Sequence, residues 1–162
     1  MKNFLFSTLS LFAVSLVFFS CNLKEDEFPK PIGFVNDYEN ILSTNEENKL
    51  VKQLKEHEKR TTNQIVIVTT STILNYSNMR DYAFALANHW GVGTKELNNG
   101  IVIMLSKSKR EIQIQNGEGI VDKLTDLETK TIIDSLIIPE FKNSNYYEGL
   151  HLGITAIIEE VE

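Results

Sequence analysis

Gln64-Ile65-Val66-Ile67-Val68-Thr69-Thr70 decides the class of fold. Six of its seven residues are β-branched and the run is apolar on both faces, the pattern of a strand covered from two sides. It is read as a central strand of a sheet. A second apolar run, Ile101 to Leu105, is separated by the polar turn Ser106 to Arg110 from the alternating segment Ile112-Gln113-Ile114-Gln115. That arrangement predicts a β-hairpin whose second strand lies at an edge.

Helical signals flank these strands. Ser43 and Glu46 form a capping-box pattern, and Leu50, Val51 and Leu54 share a face, so a first helix is predicted from Thr44 to about Arg60. Asn78 caps a second helix with the stripe Met79, Tyr82, Ala83, Leu86, Ala87 and Trp90, and Gly91 stops it. Thr125 and Glu128 form another capping box, before a helix that carries Leu127, Ile132, Ile133, Leu136 and Ile137 and ends at Pro139. Asn145 with Glu148 opens the last helix, striped by Tyr146, Leu150, Ile154, Ile157 and Ile158, with Gly149 and Gly153 permitting close packing. The order predicts an α/β fold, a three-layer α/β/α sandwich with a mixed central sheet.

The amino terminus reads as an export signal over residues 1–20. Lys2 gives it a positive start, and Phe4 to Phe19 form an apolar stretch short of the roughly 20 residues a bilayer span needs. Phe18-Phe19-Ser20-Cys21 looks like a lipoprotein cleavage box, so Cys21 is the expected lipidation site and lipid the expected link to a membrane. An ordinary secretory signal is the alternative. Residues 21–32, with Lys24-Glu25-Asp26-Glu27 and then Pro29 and Pro31, read as a tether, and residues 33–162 as one domain. The order Lys24-Glu25-Asp26 also resembles a signal that sends lipoproteins to the outer face of an outer membrane. The expectation is a cell-envelope, outer-membrane lipoprotein, periplasmic or surface-exposed, with an envelope protein as partner.

Bulk properties narrow the function. Cys21 is the only cysteine, so the domain has no internal disulfide. The chain has 16 basic and 22 acidic residues, and removing residues 1–20 takes away Lys2 alone, leaving 15 − 22 = −7. With that charge and no basic cluster, nucleic-acid binding is excluded from the reading. No Walker loop, dinucleotide fingerprint, Gly-x-Ser-x-Gly elbow or His-Glu-x-x-His pair is present.

Three oxygen-rich stretches are candidate ligand loops. They hold Asn36 and Asp37; Glu96, Asn98, Asn99 and Gly100; and Asn116, Gly117, Glu118, Gly119, Asp122 and Asp126. Such side chains suit hard cations, calcium above all, and the expectation is that they meet at one rim of the sheet. His57, His89 and His151 are too dispersed to suggest zinc or copper. Each stretch also has a purely structural reading: Asn98-Asn99-Gly100 as a turn, Asp126 as a charge on a helix dipole, and Gly117-Glu118-Gly119 as a tight exit from a strand.

Several segments together resemble the TPM domain family, which includes a chloroplast thylakoid-lumen phosphatase and many bacterial exported proteins. They are Phe34-Val35-Asn36-Asp37-Tyr38, Ile41-Leu42-Ser43, Asn63 to Val68, Trp90-Gly91-Val92-Gly93, Asn98 to Met104, Gln115 to Gly119 and Ile138-Pro139-Glu140-Phe141. The resemblance implies an α/β/α sandwich, calcium or a related divalent ion such as magnesium near acidic loops, and acid phosphatase activity in some members. It sets Asp37 in the first acidic motif and Asn99-Gly100 in the Asp-Asn-Gly motif, where Asn98 replaces the usual aspartate. One charge is lost there, and Glu118, Asp122 and Asp126 are expected to compensate.

The candidate metal ligands are therefore Asp37, Asn98, Asn99, Glu118, Asp122 and Asp126. Asp37 or Asp126 is the candidate catalytic base. The first functional expectation is a tethered module that binds a divalent cation and assists binding or assembly in the envelope. The second is a metal-dependent phosphatase of phosphomonoesters, and the third a structural lipoprotein without a ligand.

Overall fold

Two layers of helices enclose a four-stranded sheet of order β1-β2-β3-β4. The computed structural model describes residues 28–162, so the export signal, Cys21 and the first part of the tether lie outside the described residues. The strands are β1 (Val35–Asp37), β2 (Gln64–Thr69), β3 (Gly100–Ser106) and β4 (Glu111–Asn116). β1, β2 and β3 are parallel, and β4 returns antiparallel along β3, which makes the sheet mixed. The fold is the expected α/β sandwich, with β2 inside the sheet and β4 at its edge.

Alternation along the strands feeds two cores. Ile65, Ile67, Ile101, Ile103 and Ile114 point to the layer of α1 (Thr44–Thr61), α3 (Asp126–Ile132) and α5 (Tyr146–Val161). Val66, Val68, Val102 and Met104 point to α2 (Met79–Trp90). The double cover explains why β2 and β3 are apolar at successive positions, while β4 keeps its glutamines at half-buried ones.

The capping signals are realised. Ser43 and Thr125 each close a full capping box, with Glu46 and Glu128, and Asn78 accepts the Asp81 N–H. Three local expectations are corrected. Asn36 and Asp37 lie in the short strand β1 rather than a loop, because pairing with β2 imposes the extended form. Pro139 does not end its helix: a π-turn over Ile133–Ile137 leads into α4 (Ile138–Lys142), so the missing proline N–H falls in a first turn, where no helical donor is required. Asn145 makes no side-chain cap, and its amide donates instead to Glu140.

Residues 28–32, the end of the expected tether, lie against the domain. Phe28 packs on Tyr76, Tyr82 and His89, the Trp90 indole donates to the Pro29 carbonyl, and the Tyr38 hydroxyl donates to that of Lys30.

Candidate functional site

The carboxyl ends of the three parallel strands bring Asp37, Thr69 and Leu105 to one end of the sheet. There Asp37 Oδ1 accepts the Thr69 hydroxyl at 2.6 Å and Oδ2 accepts the Leu42 N–H at 2.8 Å. Thr69 Oγ1 in turn accepts the Glu39 N–H, and the Glu39 carboxylate accepts N–H groups from Lys107 and Ser108. Asp37 thus braces the turn between β1 and α1 against β2. Its neighbour Asn36 is fully buried, accepts from Ile32 and donates to the Gly33 and Ile67 carbonyls.

The opposite end holds the other candidates. Asn98 and Asn99 immediately precede β3, and the hairpin returns the chain so that Gly117 to Gly119 leave β4 beside them. Gly117 N–H donates to the Gly100 carbonyl and Gly119 N–H to that of Asn98. The approach is so close that a Cβ on Gly117 or Gly119 would collide with the Asn98 or Leu97 carbonyl oxygen. Asn99 is buried and fully engaged: its amide donates to Thr62 O and Asn63 Oδ1, and its Oδ1 accepts the Thr94 N–H at 2.9 Å.

Asn98, Glu118, Asp122 and Asp126 are exposed. Glu118 and Asp122 lie in the loop from β4 to α3, which is pinned by Asn116, whose amide donates to the Leu124 carbonyl and the Thr129 hydroxyl. Asn116 Oδ1 is buried and has no donor among the described residues. Sequence reasoning put Asn116 in this loop without singling it out, since nothing in the residue order tells which of its two polar atoms is satisfied.

The expected single rim does not form. Asp37 ends a parallel strand and Asn99 directly precedes one, so the length of the sheet, roughly 20 Å for six residues, lies between them. Asn98, Glu118, Asp122 and Asp126 share one end, Asp37 stands at the other, and Asn99 is a buried brace. Among the described residues, no group of three or more His, Cys, Asp or Glu side chains is arranged to hold a metal ion. The histidines are indeed dispersed: His57 meets Glu162 and Thr61, His89 meets Phe28, and His151 meets Gln53.

Burial lowers the His57 pKa against the raising influence of Glu162, and hydrogen bonds from Thr125 lower that of Glu128 as part of the helix cap.

The chain is similar to the solution structure of the N-terminal domain of a protein from P. gingivalis, at 29% identity and TM-score 0.71 over 78% of this chain and 80% of that one. It shares its fold with the BA42 protein of the psychrophilic bacterium Bizionia argentinensis (24% identity, TM-score 0.66, 76% and 83% covered). The N-terminal domain of the cg2496 protein of Corynebacterium glutamicum has the same fold (14%, TM-score 0.62, 84% and 85% covered). No curated protein sequence matches the chain. The TPM domain model, labelled TPM_phosphatase, matches residues 35–160, so that the strands, both helical layers and the loops at either end of the sheet all fall inside it, and the chain belongs to the TPM domain family.

Proposed function

We propose that this protein is an envelope-tethered binding module that takes a divalent cation, calcium or magnesium, at the end of the sheet carrying Asn98, Glu118, Asp122 and Asp126. The observation that carries the reading is Asn116 Oδ1, a buried acceptor without a donor among the described residues, at the end of β4 where the loop with exposed Glu118 and Asp122 begins. A cation held by one or two carboxylates, amide or carbonyl oxygens and water is a usual arrangement for magnesium, and calcium tolerates it with more ligands. Asp37 and Asn99 are left out of this set, because their oxygens already accept donors of the protein. Lipid on Cys21 supplies the membrane attachment, and an envelope protein is the partner the module serves.

The alternative, a metal-dependent acid phosphatase, has less support. An ion, a base and a phosphate must meet within one site, and Asp37 stands at the far end of the sheet. Asp126 is the base candidate beside the other carboxylates.

Calorimetric titration of the soluble chain from Asn22 with calcium and with magnesium tests the reading. Heat is expected, together with a stability gain of about 2.7 kcal/mol at a hundredfold excess over Kd. Asp122→Asn/Asp126→Asn is expected to remove both, and Asp37→Asn to retain the heat. No heat in the parent chain, or equal heats in every variant, disproves the site. Hydrolysis of p-nitrophenyl phosphate that disappears with chelator and with Asp126→Asn favours the alternative. Mass spectrometry checks the tether: a mature chain beginning at lipid-modified Cys21 is expected, and an unmodified Cys21 refutes it.

A further inference from the structure

At the opposite end from that loop, a groove of about 1040 Å³ runs along the outer side of β4. One wall is the start of α2, with Met79 and Arg80. The other is the α4 region, with Ile138, Phe141 and Lys142, and Glu111 to Gln113 form the floor. Among the described residues β4 pairs only with β3, so its second side is an open strand edge there.

The register identifies the groups on that edge. Gly117 N–H donates to Gly100, and Gln115, Gln113 and Glu111 pair with Val102, Met104 and Ser106, so these positions turn their backbone toward β3. Alternation then points the N–H and C=O groups of Ile112, Ile114 and Asn116 outward. Two outward carbonyls are covered by neighbouring side chains: Gln113 Nε2 donates to Ile114 O at 2.8 Å and Gln115 Nε2 to Asn116 O at 3.1 Å. A glutamine amide is a replaceable cap, since an incoming strand supplies the same donor from its backbone.

Charge selects the occupant. The groove is lined by Arg80, Lys107, Arg110 and Lys142, none of which makes an ion pair among the described residues. Its acids are Asp81, which accepts from Asn78, Asp134, which is paired with Lys130, and Glu111 on the floor, so the lining is 4 − 3 = +1. In a chain of formal charge −6, a lining of four basic and three acidic residues beside its strand edge is a local inversion of sign, with Lys107 held over the Tyr146 ring.

We propose that β4 receives an extended acidic segment of a partner protein as a fifth strand. Its backbone would pair with Ile112 and Ile114, its apolar side chains would meet Ile138 and Phe141, and its carboxylates would meet the four cations. Edge pairing supplies affinity and the alternating side chains supply selection. This inference is independent of the cation reading, whose loop lies at the other end of the sheet.

The probe is a fluorescein-labelled, acetylated heptapeptide of alternating Glu and Val, added to the soluble chain from Asn22 and followed by anisotropy and amide NMR. Saturable binding is expected, with shifts and slowed exchange at the Ile112 and Ile114 amides. Arg80→Glu/Lys142→Glu is expected to weaken it at least tenfold, and a peptide of the same charge N-methylated at alternate residues is expected not to bind. Equal binding of the N-methylated peptide, shifts confined to another surface, or no binding overturns the proposal. So does concentration-dependent dimerisation that protects Ile112 and Ile114 without peptide, because the occupant is then a second copy.

Discussion

Gly119 shows how a single residue fixes the loop end of the molecule. A Cβ there would meet the Leu97 carbonyl oxygen, which belongs to backbone and cannot rotate away. Gly119→Ala is expected to cost about 1–3 kcal/mol, the range for forcing atoms into a packed site, read from the urea midpoint. The Gly117-Glu118-Gly119 exit was legible because glycine has few other reasons to stand on both sides of a charged residue. Asp37 and Asn99 were not legible as braces: an oxygen that binds a cation and one that accepts a backbone N–H are the same residue in a sequence. Only the fold decides which donors arrive. His57 carries a pH prediction of the same kind. It is buried beside Thr61 and faces Glu162, Arg60 and Lys123, and desolvation holds its pKa below the ordinary 6.5. The unfolded chain therefore binds the proton more readily. Stability is full above about pH 6.5 and declines as pH falls through that value toward the folded one. His57→Gln is expected to flatten the decline between pH 7 and 5, and NMR titration of the parent is expected to put His57 below the usual histidine range.

At the scale of elements, the helix starts were the most legible part. A Ser or Thr three residues before a Glu is a local pattern, and it forms the same hydrogen bonds wherever the helix packs. Thr125→Ala is expected to cost about 1 kcal/mol in chemical unfolding. It is also expected to return Glu128 part of the way toward its ordinary carboxyl pKa by NMR, since the Thr125 backbone N–H, the larger cause of the lowering, stays and only the hydroxyl donor is lost. An unchanged Glu128 would assign the cap elsewhere. β1 and the run across Pro139 were hidden for the opposite reason. Val35-Asn36-Asp37 has little strand propensity of its own and is extended through its pairing with β2. The π-turn ahead of Pro139 is set by packing of the Ile137 segment over Gly149 and Gly153, where a Cβ would press on Ile137 atoms, and that contact joins distant parts of the chain. Local signals predict local geometry, and long-range pairing supplies the rest.

Over the whole molecule, layer count and strand order follow from the two-sided apolar runs, but which loops share an end depends on strand direction. β1, β2 and β3 run the same way, so an acidic residue at the end of one and an amide before another are separated by construction. The amino-terminal strap belongs to this scale too, because it joins the expected tether to the smaller core. Phe28 packs at a tilt on Tyr76, Tyr82 and His89, and the Pro29 and Lys30 carbonyls accept from Trp90 and Tyr38. Only residues 22–27 separate Cys21 from Phe28, a reach of at most about 25 Å when fully extended. A lipid on Cys21 would therefore hold the α2 layer toward the membrane. Phe28→Ala is expected to cost about 1–3 kcal/mol, the range for exposing an aromatic side chain. It is further expected to speed hydrogen exchange in α2 while leaving α5 protected, since α2 packs on the smaller core and α5 on the larger. If Phe28→Ala and the parent chain unfold at the same urea concentration with equal α2 exchange, the strap contributes nothing to the fold. Residues 28–32 would then be linker, and the α2 layer would be free to turn away from the membrane.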